Sequence, residues 1–245
     1  GTNVTMRFAE MLDNSGMLDR TNLRSAAQTD VYTLRGEGIE TYKPRFTYHG
    51  FRYVEVTGFP GVPTADAIRG YVVRTAVGPC GEFSCSNPLL NDIHKMICRT
   101  MQSNMHSMPS GCCQRHERGG WLGDAHIWVE TAMLNFDMPR FYSNFIRDIS
   151  DDQDNKNEIG NLPEGAPQAE GGPRADPVYG LAYPVICWYM YEQYADRRIL
   201  EENYDGVKKW VDHLCAEAKD GIFVRNSYGD WAAIEATSSP YMSTV

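Results

Sequence analysis

The sequence predicts a mixed fold, in which an antiparallel β-sandwich portion is followed by the first half of an all-α barrel of helical hairpins. Residues 1–79 form short runs rich in Tyr, Val, Phe and Thr, separated by Gly, Pro, Asp and Asn, as expected of half-buried strands. From residue 80 onward the apolar residues recur with the helical period. We therefore predict two domains, 1–79 and 80–245.

Five strands are predicted in the first domain. They are the runs NVTMRFAEML, DVYTLRG, ETYKPRFTYH, FRYVEVTGF and AIRGYVVRTAV. The chain opens inside the first of these strands, without a start methionine and without the basic and apolar regions of a signal peptide. We therefore expect a fragment or a processed chain, and the sequence leaves the cellular compartment open.

Five helices are predicted in the second domain. Ser86 or Asn87 can cap the first helix, and Pro88 suits its first turn. The next four helices are predicted at about 122–136, 139–153, 181–194 and 199–218, and the run SSPYMSTV has the cap and proline of a sixth. Short turns alternate with long polar loops such as 154–177, which is typical of a barrel of helical hairpins. We expect the chain to end before such a barrel closes.

Composition argues against several classes of partner. The net charge of -9, without a clustered Lys/Arg stripe, repels phosphate backbones and anionic lipid. No run approaches the ~18 apolar residues of a membrane span. The seven cysteines match no zinc template, so neither a metal nor another cofactor is expected. Cys80 and Cys85 flank a short turn, and the sequence leaves open whether they pair.

The densest group of chemically active side chains is the run SGCCQRHERGGWLGDAH, residues 110–126. Glu117, Trp121 and Asp124 lie at i, i+4 and i+7, so a helix extending back to Glu117 would place all three on one face over ~10 Å. Carboxylates beside an aromatic ring suit a sugar site, because a carboxyl can protonate a leaving oxygen and an indole packs against C–H groups.

A structural interpretation of the same run stays open. Acidic residues stabilise a helix N-terminus, Arg115 and Arg118 can form surface ion pairs, and Trp121 can lie in the core. His116 and His126 are ten residues apart, which is no metal-ligand spacing. The adjacent Cys112 and Cys113 lack a recognisable cysteine–histidine arrangement for nucleophilic catalysis.

Longer stretches carry a family resemblance. QRHERGGWLGDA resembles the D-C-P-x-R-x-E-R-x-G-W-x-G-D signature of bacterial α-L-rhamnosidases, inverting glycoside hydrolases with an (α/α)6 catalytic barrel. PRFTYHGFRYVEVTG is similar to the family's strand before the barrel, and YPVICWYMYEQYADRRILEENYDGVKKWVDHL to its fourth and fifth helices. YGDW, followed by a Ser-Pro helix start, also fits. The resemblance implies an exo-acting enzyme that releases terminal α-L-rhamnose, or a related deoxy-sugar, with inversion.

The resemblance also implies residue roles. Glu117 falls on the family's general acid, and the general base is a glutamate well beyond the YGDW segment, outside this chain. The implied sugar-binding residues are Arg115 and Asp124 for hydroxyl groups, Trp121 and Trp231 as aromatic walls, and Tyr179 at a place where the family usually has tryptophan. The implied partner is a rhamnose-containing glycoside or polysaccharide, and a homo-oligomer is compatible with the sequence.

Besides Tyr179, the chain departs from the family pattern at four positions. Gly111, His116 and Leu181 each replace an aspartate, and Cys113 replaces a proline. Loss of one buried hydroxyl partner costs on the order of 1 to 3 kcal/mol in binding. These departures keep open a non-catalytic carbohydrate-binding relative of the family, and less directly a structural domain of a larger assembly.

Overall fold

The computed structural model describes residues 1–153, 160–167, 177–223 and 243–244. The chain divides into two compact units. The first, which we call the sheet unit, consists of Gly1–Arg74 together with Cys112–Arg118. The second, the helical unit, consists of Thr75–Gly111 and Gly119–Val245. The predicted domain ranges, 1–79 and 80–245, remain predictions.

The sheet unit is built on a three-stranded antiparallel sheet. The central strand β1 (Asn3–Ala9) pairs with β4 (Thr29–Thr33) on one side and β5 (Tyr53–Thr57) on the other. In this register Met6 lies opposite Asp30 and Val56. Strands β2 (Met11–Leu12) and β3 (Leu18–Asp19) form a separate pair. Three of the predicted strand runs, at the positions of β1, β4 and β5, are confirmed.

Two predicted strands are wrong, because residues 40–49 and 67–77 contain no strand. Pro44 has no N–H to donate to a sheet ladder, and Phe46 has a positive φ of 58°, which a strand does not accommodate. Tyr42 instead stacks on Tyr32 with ring centroids 4.6 Å apart. These β-favouring residues therefore pack through side chains, or stay exposed as Val72 does, without backbone pairing.

The five predicted helices are confirmed. They are α1 (Pro88–Ser103), α2 (Leu122–Asn135), α3 (Pro139–Asp152), α5 (Ala182–Tyr194) and α6 (Arg197–Glu217), with a short α4 (Pro177–Gly180) before α5. The Asn87 side chain accepts a hydrogen bond from the Leu89 N–H, as its capping role predicts. Among the described residues, no helix combines the length and apolar character that a bilayer crossing requires.

The sixth predicted helix start, at 238–245, falls mostly outside the described residues. Its two described residues, Ser243 and Thr244, form strand β7, which pairs with β6 (Ile222–Phe223). The prediction is therefore wrong at these two residues, because local cap and proline signals carry no information about a distant strand partner.

Helix α5 lies at the centre of the helical unit, where it packs against α2, α3 and α6. The largest fully buried side chains of this core include Tyr142, Tyr183, Phe145, Leu122, Ile186 and Met138. Burial of each such apolar side chain contributes about 1.5–3 kcal/mol to the stability of the fold, before the loss of conformational entropy is subtracted. By contrast, α1 leaves Leu89, Ile93 and Met96 exposed along its apolar face.

The seven cysteines are free thiols, so Cys80 and Cys85 do not pair. Burial raises the pKa of the Cys187 thiol to about 12, whereas Cys80, Cys85 and Cys215 are exposed. Because the thiolate is the reactive form, we expect Cys187 to resist alkylation of the folded chain at pH 8 while the exposed cysteines are labelled. Peptide mass spectrometry would measure this, and labelling of Cys187 at the rate of Cys215 would contradict its burial.

Candidate active site

The helix does not extend back to Glu117, so Glu117, Trp121 and Asp124 do not share one helix face. Helix α2 begins at Leu122, with Trp121 at its N-cap in an extended conformation. Arg118 has a positive φ of 40°, which lies outside the right-handed helical region and ends any helical path from Glu117. Glu117 therefore lies in a loop of the sheet unit, residues 112–118, which we call the acid loop.

Within the sheet unit, the Glu117 carboxyl is an ion-paired group. Its Oε1 accepts a hydrogen bond from Arg24 Nη1, and Arg115 Nη1 lies 4.0 Å from the same oxygen. The Glu117 side chain is 22% exposed, whereas that of Arg24 is 50% exposed. Such a partly exposed pair contributes at most about 1 kcal/mol to stability, so its main effect is on the orientation of the carboxyl.

The acid loop also carries Arg118 and the two adjacent cysteines. The Arg118 guanidinium lies over the Tyr48 ring, 4.4 Å from its centroid, where a cation–π contact replaces the surface ion pair considered from sequence. Burial, and then the nearby charge of Glu10, raise the pKa of the Cys113 thiol. A raised pKa disfavours the nucleophilic thiolate.

In the helical unit, Trp121 is held by backbone pairing with the loop 160–167. Trp121 and Gly165 form an antiparallel bridge, with Leu122 N donating to Glu164 O at 2.8 Å and Ala166 N donating to Gly120 O at 3.0 Å. The Trp121 side chain is half-buried, so it does not lie fully in the core. This pairing fixes the backbone from which the indole projects.

Two further predicted site residues lie near the same end of α2. Asp124 is exposed in the first turn of α2, where a negative charge is favoured by the helix dipole. Tyr179, in α4, packs against α2, because a Cβ added to Gly123 of α2 would lie 2.9 Å from the Tyr179 ring. The helical unit therefore brings Asp124 and Tyr179 to neighbouring positions, and Leu181 follows them as an exposed side chain.

The remaining sequence candidates divide as follows. Trp231 lies outside the described residues. His116 is exposed, and the His126 Nδ1 lies 3.2 Å from the Leu122 carbonyl within its own helix. Across the described ranges, no three His, Cys, Asp or Glu side chains are grouped so as to hold a metal ion.

Sequence reasoning missed Arg24 as a partner of the proposed acid. Arg24 precedes Glu117 by 93 residues and belongs to no motif of the sequence. The same holds for Gln28, whose side chain contacts the acid loop across 86 residues. No local signal could have found either residue, because only the folded sheet unit brings them to the loop.

Two family models match the chain. Residues 1–74 match the bacterial alpha-L-rhamnosidase concanavalin-like domain, and residues 79–244 match the bacterial alpha-L-rhamnosidase 6 hairpin glycosidase domain. The fold class is therefore a six-hairpin glycosidase domain preceded by a concanavalin-like domain. The chain belongs to the bacterial α-L-rhamnosidase family, as its signature run predicts.

Individual relatives agree with this assignment. An α-L-rhamnosidase of Streptomyces avermitilis is 38% identical over 231 residues, which are 94% of this chain and 22% of the relative. One from Formosa agariphila is 37% identical, over 94% of this chain and 25% of the relative. The chain thus spans about a quarter of the length of these relatives.

Solved structures show the same similarity in three dimensions. The α-L-rhamnosidase from Dictyoglumus thermophilum superposes with a TM-score of 0.89 at 47% identity, over 94% of this chain and 26% of that one. The Streptomyces avermitilis α-L-rhamnosidase complexed with L-rhamnose gives a TM-score of 0.88 at 38% identity, over 94% and 22%.

Proposed function

We propose that the protein carrying this chain is a glycoside hydrolase that releases terminal α-L-rhamnose, or a closely related deoxy-sugar, with inversion. The observation that carries the proposal is the ion-paired carboxyl of Glu117, four residues before the half-buried Trp121, within the family signature. Support also comes from the family membership and from a solved relative complexed with L-rhamnose. The substrate is a rhamnose-containing glycoside or polysaccharide.

The proposed roles follow from the chemistry of each side chain. Glu117 donates a proton to the leaving oxygen, while Arg115 and Asp124 bind sugar hydroxyl groups. Trp121 and Tyr179 offer aromatic faces to the apolar side of the sugar ring, with Trp231 as a further wall. An inverting mechanism needs a second carboxyl about 6.5–9.5 Å from the acid, and we assign it to a glutamate well beyond the YGDW segment, outside these residues.

We also propose that the helices belong to an (α/α)6 barrel, with domain ranges 1–79 and 80–245. Apolar side chains remain exposed on several of the helices, including Leu90 on α1, Leu134 on α2 and Trp188 on α5. Exposed apolar faces of this kind are suited to burial against further structure. Additional hairpins of the barrel would provide that burial.

A non-catalytic carbohydrate-binding relative is the second candidate. It is favoured by Gly111 and Leu181, which replace aspartates of the family pattern. Release of nitrophenol from a nitrophenyl α-L-rhamnoside by the complete protein separates the two candidates. Turnover supports the hydrolase, whereas binding of L-rhamnose without any turnover supports the binding protein.

The position of Gly111 allows a direct test of the missing carboxylate. A Cβ at residue 111 would lie 3.0 Å from Trp121 Cδ1, so a side chain there begins beside the proposed stacking ring. We expect Gly111→Asp to tighten L-rhamnose binding, or to raise turnover, by up to roughly tenfold through one added charged hydrogen bond. Isothermal titration with L-rhamnose and steady-state assays would measure the change.

Gly111→Ala is the matched control, because it adds the same Cβ without the carboxylate. We expect it to weaken binding by a few-fold, since the indole must shift to accept the new atom. If the aspartate variant weakens binding as much as the alanine variant does, the loss comes from the added Cβ and the carboxylate makes no favourable contact with the sugar.

A further inference from the structure

The sheet unit holds the acid loop through a buried polar network. The Gln28 side chain, itself buried, donates from Nε2 to the Gln114 carbonyl at 2.5 Å. Its Oε1 faces Nδ1 of His49, and the other ring nitrogen of His49 lies 3.0 Å from Asp30 Oδ1. Because the links of this network are partly buried and Gln28 itself is buried, loosening the loop would leave polar groups unsatisfied.

Close packing adds to this network on both sides of the acid. Before Glu117, Gly50 approaches the loop so closely that a Cβ there would lie 2.7 Å from Cys113 Sγ. After Glu117, the Tyr48 ring lies under the Arg118 guanidinium. The backbone that carries the acid is thus held before and after residue 117.

Arg24 reaches the acid itself from a second loop of the sheet unit. It follows a short 3-10 turn, Thr21–Leu23, whose last residue is fully buried and anchors the turn. Both ion pairs described for the Glu117 carboxyl, from Arg24 and from Arg115, go to Oε1. This arrangement leaves Oε2 as the oxygen that can present a proton.

Backbone strain is concentrated at this meeting of two loops. The described residues include eight non-glycine residues with positive φ, and four of them lie in segments 24–28 and 112–118. They are Arg24 at 55°, Gln28 at 41°, Cys112 at 56° and Arg118 at 40°. Strained backbone of this kind persists only where the surroundings impose it, and it is common at functional sites.

We infer that Arg24 is a positioning residue for the general acid, an inference that rests on the proposed function of Glu117. Arg24 holds Oε1, so the proton is carried on Oε2. During reaction that proton moves to the glycosidic oxygen as the C1–O bond breaks, while water bonds to C1 and gives its proton to the second carboxyl. The Glu117 carboxyl then becomes a carboxylate, whose developing negative charge the Arg24 guanidinium stabilises.

The test compares leaving groups in the complete protein that carries this chain. A poor leaving group, as in an alkyl α-L-rhamnoside, needs proton donation, whereas dinitrophenolate leaves with little help. We expect Arg24→Met to lower kcat about 10- to 100-fold on the alkyl rhamnoside and less than about 3-fold on the dinitrophenyl rhamnoside, with KM nearly unchanged. Arg24→Lys keeps the charge and should recover part of the loss.

Arg7→Met is the matched control. The Arg7–Glu55 pair lies on the same unit at 3.0 Å, with side-chain exposures of 46% and 23%, close to the 50% and 22% of Arg24 and Glu117. Its removal should leave both rates unchanged, and thermal melts would confirm that each variant folds. The Glu117→Gln variant should lose far more kcat on the alkyl rhamnoside than on the dinitrophenyl rhamnoside. If it does, an Arg24→Met variant that loses kcat equally on both substrates, or loses none, would overturn the inference about Arg24. If Glu117→Gln loses kcat equally on the two substrates, the proposed role of Glu117 as the acid, and with it the proposed function, would be overturned instead.

Discussion

Replacing Glu117 with glutamine should lower kcat for an alkyl α-L-rhamnoside by at least about 100-fold, and by up to about 10,000-fold, in the complete protein that carries this chain. Glutamine keeps the shape of the side chain and can still accept a hydrogen bond from Arg24, but it has no proton to release. The affinity for L-rhamnose should stay within a few-fold, because the variant removes proton donation and leaves the sugar contacts of other residues in place. Steady-state kinetics and calorimetric titration would measure the two effects.

Glu55→Gln is the control for this variant. Glu55 is a partly buried glutamate of the same unit that is ion-paired with Arg7, so it matches Glu117 in environment but not in proposed role. It should retain full turnover. Wild-type turnover by Glu117→Gln would exclude Glu117 as the acid, and a loss of sugar affinity equal to the loss of kcat would indicate a binding role.

Trp210→Ala should destabilise the helical unit by about 3–5 kcal/mol, because it removes a large buried aromatic side chain and leaves a cavity. Trp210 of α6 is 3% exposed. It packs so closely against Gly180 that a Cβ added to Gly180 would lie 2.6 Å from Trp210 Nε1. Gly180 follows Tyr179, so the same cavity should loosen the segment that presents this aromatic ring. Chemical denaturation followed by circular dichroism would measure the loss of stability.

The control for Trp210 is Tyr204→Ala. Tyr204 lies on the same helix and is 65% exposed, so its removal should change the free energy of unfolding by less than about 0.5 kcal/mol. A similar loss of stability in both variants would show that the effect comes from helix α6 as a whole and not from packing of Trp210 against Gly180.

Local features of the fold were predictable from sequence because their causes are local. Asn87 and Pro88 mark the start of α1 through a cap that spans two residues. The apolar side chains of α3, such as Phe145 and Ile149, recur with the helical period, and the structure buries them. The family was predictable for a different reason, since a signature run and two longer similar stretches carry more information than any single residue pattern.

Predictions failed where distant contacts decide the outcome. The runs at 40–49 and 67–77 have the composition of strands, but a strand also needs a neighbouring backbone to pair with. The spacing of Glu117 and Trp121 left open a helix that extends back to Glu117, but Arg118 has a positive φ and the acid loop packs within the sheet unit. Local propensity cannot foresee a backbone conformation that packing imposes from outside the segment.

The sequence by itself determined the family and the five helices of the second half, and its resemblance to the family led us to propose Glu117 as the acid. Only the tertiary structure decided which side chains surround that acid. Arg24 and Gln28 precede the residues they contact by 93 and 86 positions, and each contact depends on how two loops of one sheet unit fold together. Ion pairs and hydrogen bonds act over a few ångströms in space regardless of sequence separation, so the partners of a catalytic group become known only when the chain is folded.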